Sequence, residues 1–547
     1  MLDLLIRGAR VVDGTGTRSF QGDVGVRDGA IVVVGAAEEG ARRTVDASGL
    51  ALMPGIVDVH THYDAQITWD PTLSPSVALG VTSIVMGNCG FGIAPCPAPL
   101  RETLLRNLSV VEGMDVDALL TGTRWDFETF PQYLDMLERQ RPRANVAVLA
   151  QHSTIRNAVM REEASTRKVP SDDQLSRMRQ MVAGAMDAGA AGFASSFSPN
   201  HSGWGGRPMP STIASDDELR SLVNVLGTKG RGIFVMATGP RATPQFMESI
   251  AADTGRPVFI VTVLTMHNRA QPERAMQMYE QCAQAIGRGR EVYIHANCQP
   301  LSFDFTLGEP YLMYSHDAFD RVRNAPAEEK ARLYREREFR DRLRHNFAHP
   351  GQGILFYGDW SQVERDGVPV TELARRAGKE ALDYVFDLPL DVQLVAKLYQ
   401  NDDAGVAPLL KHPAGLIALS DAGAHLIYFC DAGYGLHFLA HWVRETGTFT
   451  LEEGVRRLTG DPARKYRIPG RGRIAAGCKA DMVLFDPQGV GVSNLRRVSD
   501  MPGGGTRMVR DPQGVHGVWV NGVEVFDGQR YTALDSGPGE ILRRFER

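Results

Sequence analysis

From residue 54 to about residue 465, short apolar β-like runs alternate with amphipathic helical stretches, and no other feature constrains the fold as strongly. Strands are read at 82–86, 146–150, 191–195, 233–237, 258–263, 292–295 and 416–420, and helices at 172–188, 215–226 and 273–286. A helix between two strands carries the chain back so that the second strand lies parallel to the first. About eight such units predict an α/β fold, a closed (β/α)8 TIM barrel, with its chemistry where the strands end at their C-terminal face.

The two chain ends read differently. Residues 1–53 and 466–547 hold short β runs broken by Asp28-Gly29 and Asn521-Gly522, dipeptides suited to tight hairpin turns. The expectation is one small β-sandwich domain built from both ends around a barrel at 54–465. The stretch 303–365 departs from the βα rhythm and is dense in charge from Ala327 to Arg344. It reads as an insertion carrying a solvated helix. Placed after a barrel strand, it would hang over the active-site face as a lid.

With 43% hydrophobic and 23% charged residues the chain has the make-up of a globular protein with a large core. The net charge of −5 is spread along the sequence, which argues against nucleic acid or an anionic membrane as a partner. No apolar run approaches the ~20 residues of a membrane helix. Met1–Arg7 is too short and too charged for a signal peptide, and the six cysteines lack CxxC spacing. The expected setting is cytoplasmic, with a small-molecule substrate as the partner; a homo-oligomer is compatible with all of this.

Three strand ends carry metal-ligand chemistry. The first barrel strand closes on His60-Thr61-His62, and residues two apart on a strand share a face. The second ends in Asn88-Cys89-Gly90, and the last in Ser420-Asp421. Cys89 alone would suit packing, and Asp421 alone a helix cap. Together, two imidazoles, a thiolate and a carboxylate make a four-ligand zinc set. None of the lysines falls at the C-terminal end of a predicted strand, which argues against a carbamate bridge.

The segments 53–64, 80–91, 152–156, Ser420-Asp421 and 477–486 resemble the amidohydrolase superfamily, and within it the D-aminoacylase (N-acyl-D-amino-acid deacylase) branch. The resemblance implies metal-dependent hydrolysis of a linear amide, with Cys89 in the place that a carboxylated lysine holds in other amidohydrolases. The sequence departs from that pattern at the fifth and sixth strands, whose histidines would complete a second metal site. Ala237 and Thr262 stand there instead, and His267, five residues beyond Thr262, has the wrong parity to replace it. One zinc ion is therefore expected.

Asp421 is the expected proton shuttle. His295 occupies a position where the family often has a substrate-facing tyrosine, and His425 follows Asp421 by four residues. Either would stabilise the oxyanion. Arg156 and Arg241 are candidates for a substrate carboxylate. Zinc would lower the pKa of bound water to about 7, and turnover would need Asp421 or Cys89 to bind loosely or the ion to reach five-coordination. Two rival readings are a barrel that has lost hydrolysis, binding a ligand or performing amide formation or ring closure, and a Cys89 nucleophile with His60 or His62 as base.

Overall fold

The computed structural model describes all residues except 200, 238, 262–266, 270, 315, 324, 350–355, 357, 428 and 547. Eight parallel strands follow one another in chain order: β1 (Ile56–Asp58), β2 (Val81–Met86), β3 (Asn145–Gln151), β4 (Gly192–Ser196), β5 (Ile233–Ala237), β6 (Val258–Val261), β7 (Val292–Ala296) and β8 (Gly415–Ile417). Every residue of these strands is buried, as expected of a parallel sheet covered on both faces. The parallel sheet is curled. Thr61 and Ala422, just beyond β1 and β8, form a parallel bridge, and His62 N–H donates to the Ala422 carbonyl at 2.7 Å.

Helices connect the strands where the periodicity places them, among them Asp172–Ala188, Asp216–Lys229 and Pro272–Gly287. The first starts at a capping box between Ser171 and Gln174 and ends at Gly189 with φ 109°, so its limits are written in the residues themselves. The expected eighth strand is shorter than its apolar run. Leu419 (φ 73°) and Asp421 (φ 50°) turn left-handed and take the chain out of the sheet.

A second eight-stranded sheet knits the chain ends together. Ala51–Pro54 pairs antiparallel with Met482–Phe485, and Leu2–Val11 and Val515–Val520 extend the sheet on either side. Asp28 and Gly29, and Asn521 and Gly522, all have positive φ, the conformation a two-residue hairpin turn demands. Ile6, Val24, Leu52, Met482 and Trp519 are among its core residues. This sheet belongs to the same compact unit as the parallel one.

Residues 300–403 and 427–429 form the other compact unit. It holds a four-stranded antiparallel sheet and an aromatic core in which Phe319, Tyr334, Phe339 and Phe386 meet. The charged stretch is two helices, Ala327–Leu333 and Arg337–Ala348, rather than one. No helix among the described residues is long and apolar enough to cross a membrane.

Candidate metal centre

The site grows out of the end of β1. Gly55 lets this strand lie against β2, since a Cβ there would sit 1.9 Å from Thr82 Oγ1. Asn88, fully buried, donates from Nδ2 to the carbonyls of Val85 (3.0 Å), Thr61 (3.3 Å) and Val59 (3.4 Å). One amide thereby ties the ends of both strands at the level of the histidines. Cys89 follows in a left-handed conformation (φ 55°) between Gly87 and Gly90, also at positive φ. Cys89 and Asp421 are both L-residues in that region, at a cost of about 1 kcal/mol or more each, a strain that clusters at functional sites.

Four donor atoms converge. His60 Nε2 lies 3.2 Å from His62 Nε2, 3.9 Å from Cys89 Sγ and 3.1 Å from Asp421 Oδ1; His62 Nε2 lies 3.4 Å from the same oxygen. Ligands of a tetrahedral zinc at its usual bond lengths are separated from one another by roughly 3.3–3.6 Å. The imidazoles and the carboxylate stand near that spacing and Cys89 Sγ a little beyond it, and the donor set suits one such ion in chemistry. The ligating atoms of His60, His62 and Cys89 all lie within 4.8 Å of one another. His60, His62 and Cys89 are buried, and the Asp421 side chain keeps 24% of its exposure, so the carboxylate marks the open side.

Charge follows geometry. Burial pushes the Cys89 thiol up to about 11, against the pull of His62. Burial likewise lowers His60. For His62 burial is outweighed, chiefly by Glu112, and its pKa is raised. Asp421 is held well below the carboxylate range: burial would raise it, but hydrogen bonds and charge from both histidines prevail. A bound dication would invert the thiol's preference and hold it as thiolate.

The other expected residues scatter in their surroundings. His295 lies behind His60, with its Nδ1 3.3 Å from His60 Nδ1 and its Nε2 2.7 Å from the Tyr466 hydroxyl, so both ring nitrogens are engaged. His425 has φ 53° and its segment does not coil into a helix; its Nε2 still comes within 4.0 Å of Asp421 Oδ2. Arg156 is fully buried, 3.0 Å from Glu218, and donates to the carbonyls of Pro210 and Ala164. Arg241 stacks 3.7 Å over Phe197, pairs with Asp216 and donates to the Ala214 carbonyl. Both guanidinium groups are thus held by the protein's own groups. Ala237, buried at the end of β5, offers only a methyl group; Thr262 lies outside the described residues.

Two neighbours carry no signal in the sequence. Glu112, just past the helix Arg101–Val111, brings Oε1 to 3.2 Å from His62 Nδ1 and Oε2 to 3.6 Å from His425 Nε2. His201, beyond β4, accepts or donates at 2.8 Å with Ser196 Oγ and meets Phe91 edge-on. Burial, and then the charge of His62, pull its pKa down to about 3. Farther along, Ser195, His152 and Glu218 are hydrogen-bonded in series like a nucleophile triad, but all three are fully buried, which makes them a packing network.

The description "amidohydrolase family" matches residues 43–526. A D-aminoacylase from Alcaligenes xylosoxydans xylosoxydans is 28% identical over 552 positions, covering 98% of this chain and 96% of the relative. The crystal structure of an N-acyl-D-glutamate deacylase from Bordetella bronchiseptica, complexed with zinc and a phosphonate mimic of the tetrahedral intermediate, is 26% identical with a TM-score of 0.67, covering 99% of this chain and 100% of the other. A D-aminoacylase structure, described as showing one-metal activation and second-metal attenuation in a binuclear centre, is 25% identical with a TM-score of 0.67 over the whole of both chains.

Proposed function

This chain belongs to the amidohydrolase family, and we propose that it hydrolyses the linear amide of an N-acyl amino acid or related small amide at a single metal ion held by His60, His62, Cys89 and Asp421. The observation that carries the reading is the convergence of those four donor atoms, together with an alanine, Ala237, at the end of β5. The zinc-bound deacylase relative supports zinc as the ion, and the D-aminoacylase described by one-metal activation supports the sufficiency of one. When bound, zinc supplies Lewis acidity that polarises the amide carbonyl and makes water a nucleophile near neutral pH.

The chain's own groups do the rest. Asp421 takes the proton of the attacking water and delivers it to the leaving nitrogen, which its partial exposure allows. His425, beside Asp421, donates to the oxygen on which negative charge builds. Four protein ligands would close a bound ion, so Asp421 would have to loosen to act. Arg156 serves the fold, and Arg241 holds the loop beyond β5 against Phe197. A closed (β/α)8 barrel with a β-sandwich from both ends is the architecture we assign. A free Cys89 nucleophile draws no support from a thiol pushed up to about 11.

Metal content and amine release from a panel of N-acetyl-D- and L-amino acids test the reading. Wild type should carry about one zinc per chain and turn over part of the panel. His60→Ala should lose both metal and activity, and Asp421→Ala activity with most of the metal kept. Full activity in Asp421→Ala would refute the shuttle. Metal-loaded protein inert to the whole panel would favour a barrel that has lost hydrolysis.

A further inference from the structure

His60 is backed by two side chains that no part of the proposed reaction employs. Its Nδ1 lies 3.3 Å from His295 Nδ1, and His295 Nε2 lies 2.7 Å from the Tyr466 hydroxyl. His60, His295 and Tyr466 are each at most 1% exposed, so none has water as an alternative partner. Phe259 braces the far end, its ring centroid 4.4 Å from that of Tyr466 and 5.8 Å from that of His295. His60 lies just beyond β1, His295 is in β7, and Tyr466 closes the helix Gly460–Lys465.

A neutral imidazole has one N–H and one lone pair. For His60 Nε2 to face an ion its lone pair must point there, which puts the proton on Nδ1. That proton is then donated to Nδ1 of His295. His295 carries its own proton on Nε2 and donates it to the oxygen of Tyr466. Each residue keeps one proton throughout, and only their positions are fixed. We propose that His295 and Tyr466 are positioning residues for the metal centre, a relay that holds His60 Nε2 as a lone pair aimed at the ion. The relay rests on the reading of the four-residue cluster as a metal site. It assigns His295 to the back of a ligand and not to the oxyanion.

The test is zinc affinity of the full-length protein, measured by competition with a chromophoric chelator, in wild type, His295→Leu, His295→Gln and Tyr466→Phe. Removing such an outer partner should weaken zinc about 10–100-fold in His295→Leu. Glutamine can accept from His60 Nδ1 and donate to Tyr466, so His295→Gln should recover to within about threefold of wild type. A merely space-filling role would not separate Leu from Gln in this way. Equal affinity in wild type and His295→Leu, or a Gln variant as weak as Leu, overturns the relay. Tyr466→Phe keeps the ring against Phe259 and decides the matter if His295→Leu does not fold: a loss of about fivefold or more supports the relay, and none overturns it. Wild type that binds no zinc, with His60→Ala indistinguishable from it, would overturn the metal reading itself.

Discussion

Replacing Glu112 with glutamine should weaken metal binding while leaving the metal-free protein largely intact. The carboxylate sits 3.2 Å from His62 Nδ1 and 3.6 Å from His425 Nε2, at 3% exposure. Glutamine keeps its shape and removes only its charge. Burial already pushes the Glu112 carboxyl up to about 8, so near neutral pH the metal-free protein tolerates a neutral group there. An ion bound at His62 Nε2 changes the demand, because the imidazole then needs an anionic acceptor behind it. Full charges 3.2 Å apart at an effective dielectric of about 20 attract by about 5 kcal/mol, an upper bound. Measured losses of such outer carboxylates are about 10–100-fold in affinity, or about 1.4–2.7 kcal/mol. Zinc competition should show a loss in that range, while the melting temperature with chelator stays near that of wild type. Affinity within about twofold of wild type would refute the role assigned to the charge. So would an equal loss of stability with and without zinc, since that would make Glu112 a packing residue.

Two further outcomes concern the scaffold. Lys465 is almost fully buried, 4.1 Å from the Tyr293 ring centroid, and burial lowers its pKa from 10.5 to about 7. A base whose folded pKa lies below its unfolded one penalises folding fully below about pH 7, and the penalty fades as pH rises to about 10.5. Over those ~3.5 units it amounts to at most about 5 kcal/mol, so Lys465→Met should raise the melting temperature most at pH 6 and least at pH 10. A pH-independent difference would contradict this. Gly55→Ala should cost about 3 kcal/mol or more in urea unfolding, because the new methyl group meets Thr82 Oγ1 at 1.9 Å and Cγ2 at 2.3 Å. Thr82→Gly in the same chain should recover most of the loss, and no recovery would place the strain elsewhere.

The proposed ligand set was legible because it rides on local pattern. His60 and His62 are two apart on an extended segment, Cys89 sits between glycines at positive φ, and Asp421 ends the last apolar run. Strand parity and glycine placement are backbone properties, and the sequence carries them directly. The hairpins at Asp28-Gly29 and Asn521-Gly522 were legible for the same reason. The residues behind the ligands were not. Glu112 follows a helix with nothing to distinguish it from other surface acids, and Tyr466 closes a short helix 171 residues from the histidine it meets. His295, by contrast, was legible as a polar residue at a strand end, but its direction was not.

What the sequence determined by itself is the order of βα units, the family, and which side chains bring metal-binding atoms to the strand ends. What only the tertiary structure decided is what each of those atoms faces. It turned Arg156 and Arg241 into partners of the protein's own groups, set His295 behind His60, and brought Glu112 between His62 and His425. The physical reason is range. Periodicity fixes a side chain's face over a few residues, whereas a partner across the fold is chosen by packing that closes only when all eight strands are in place.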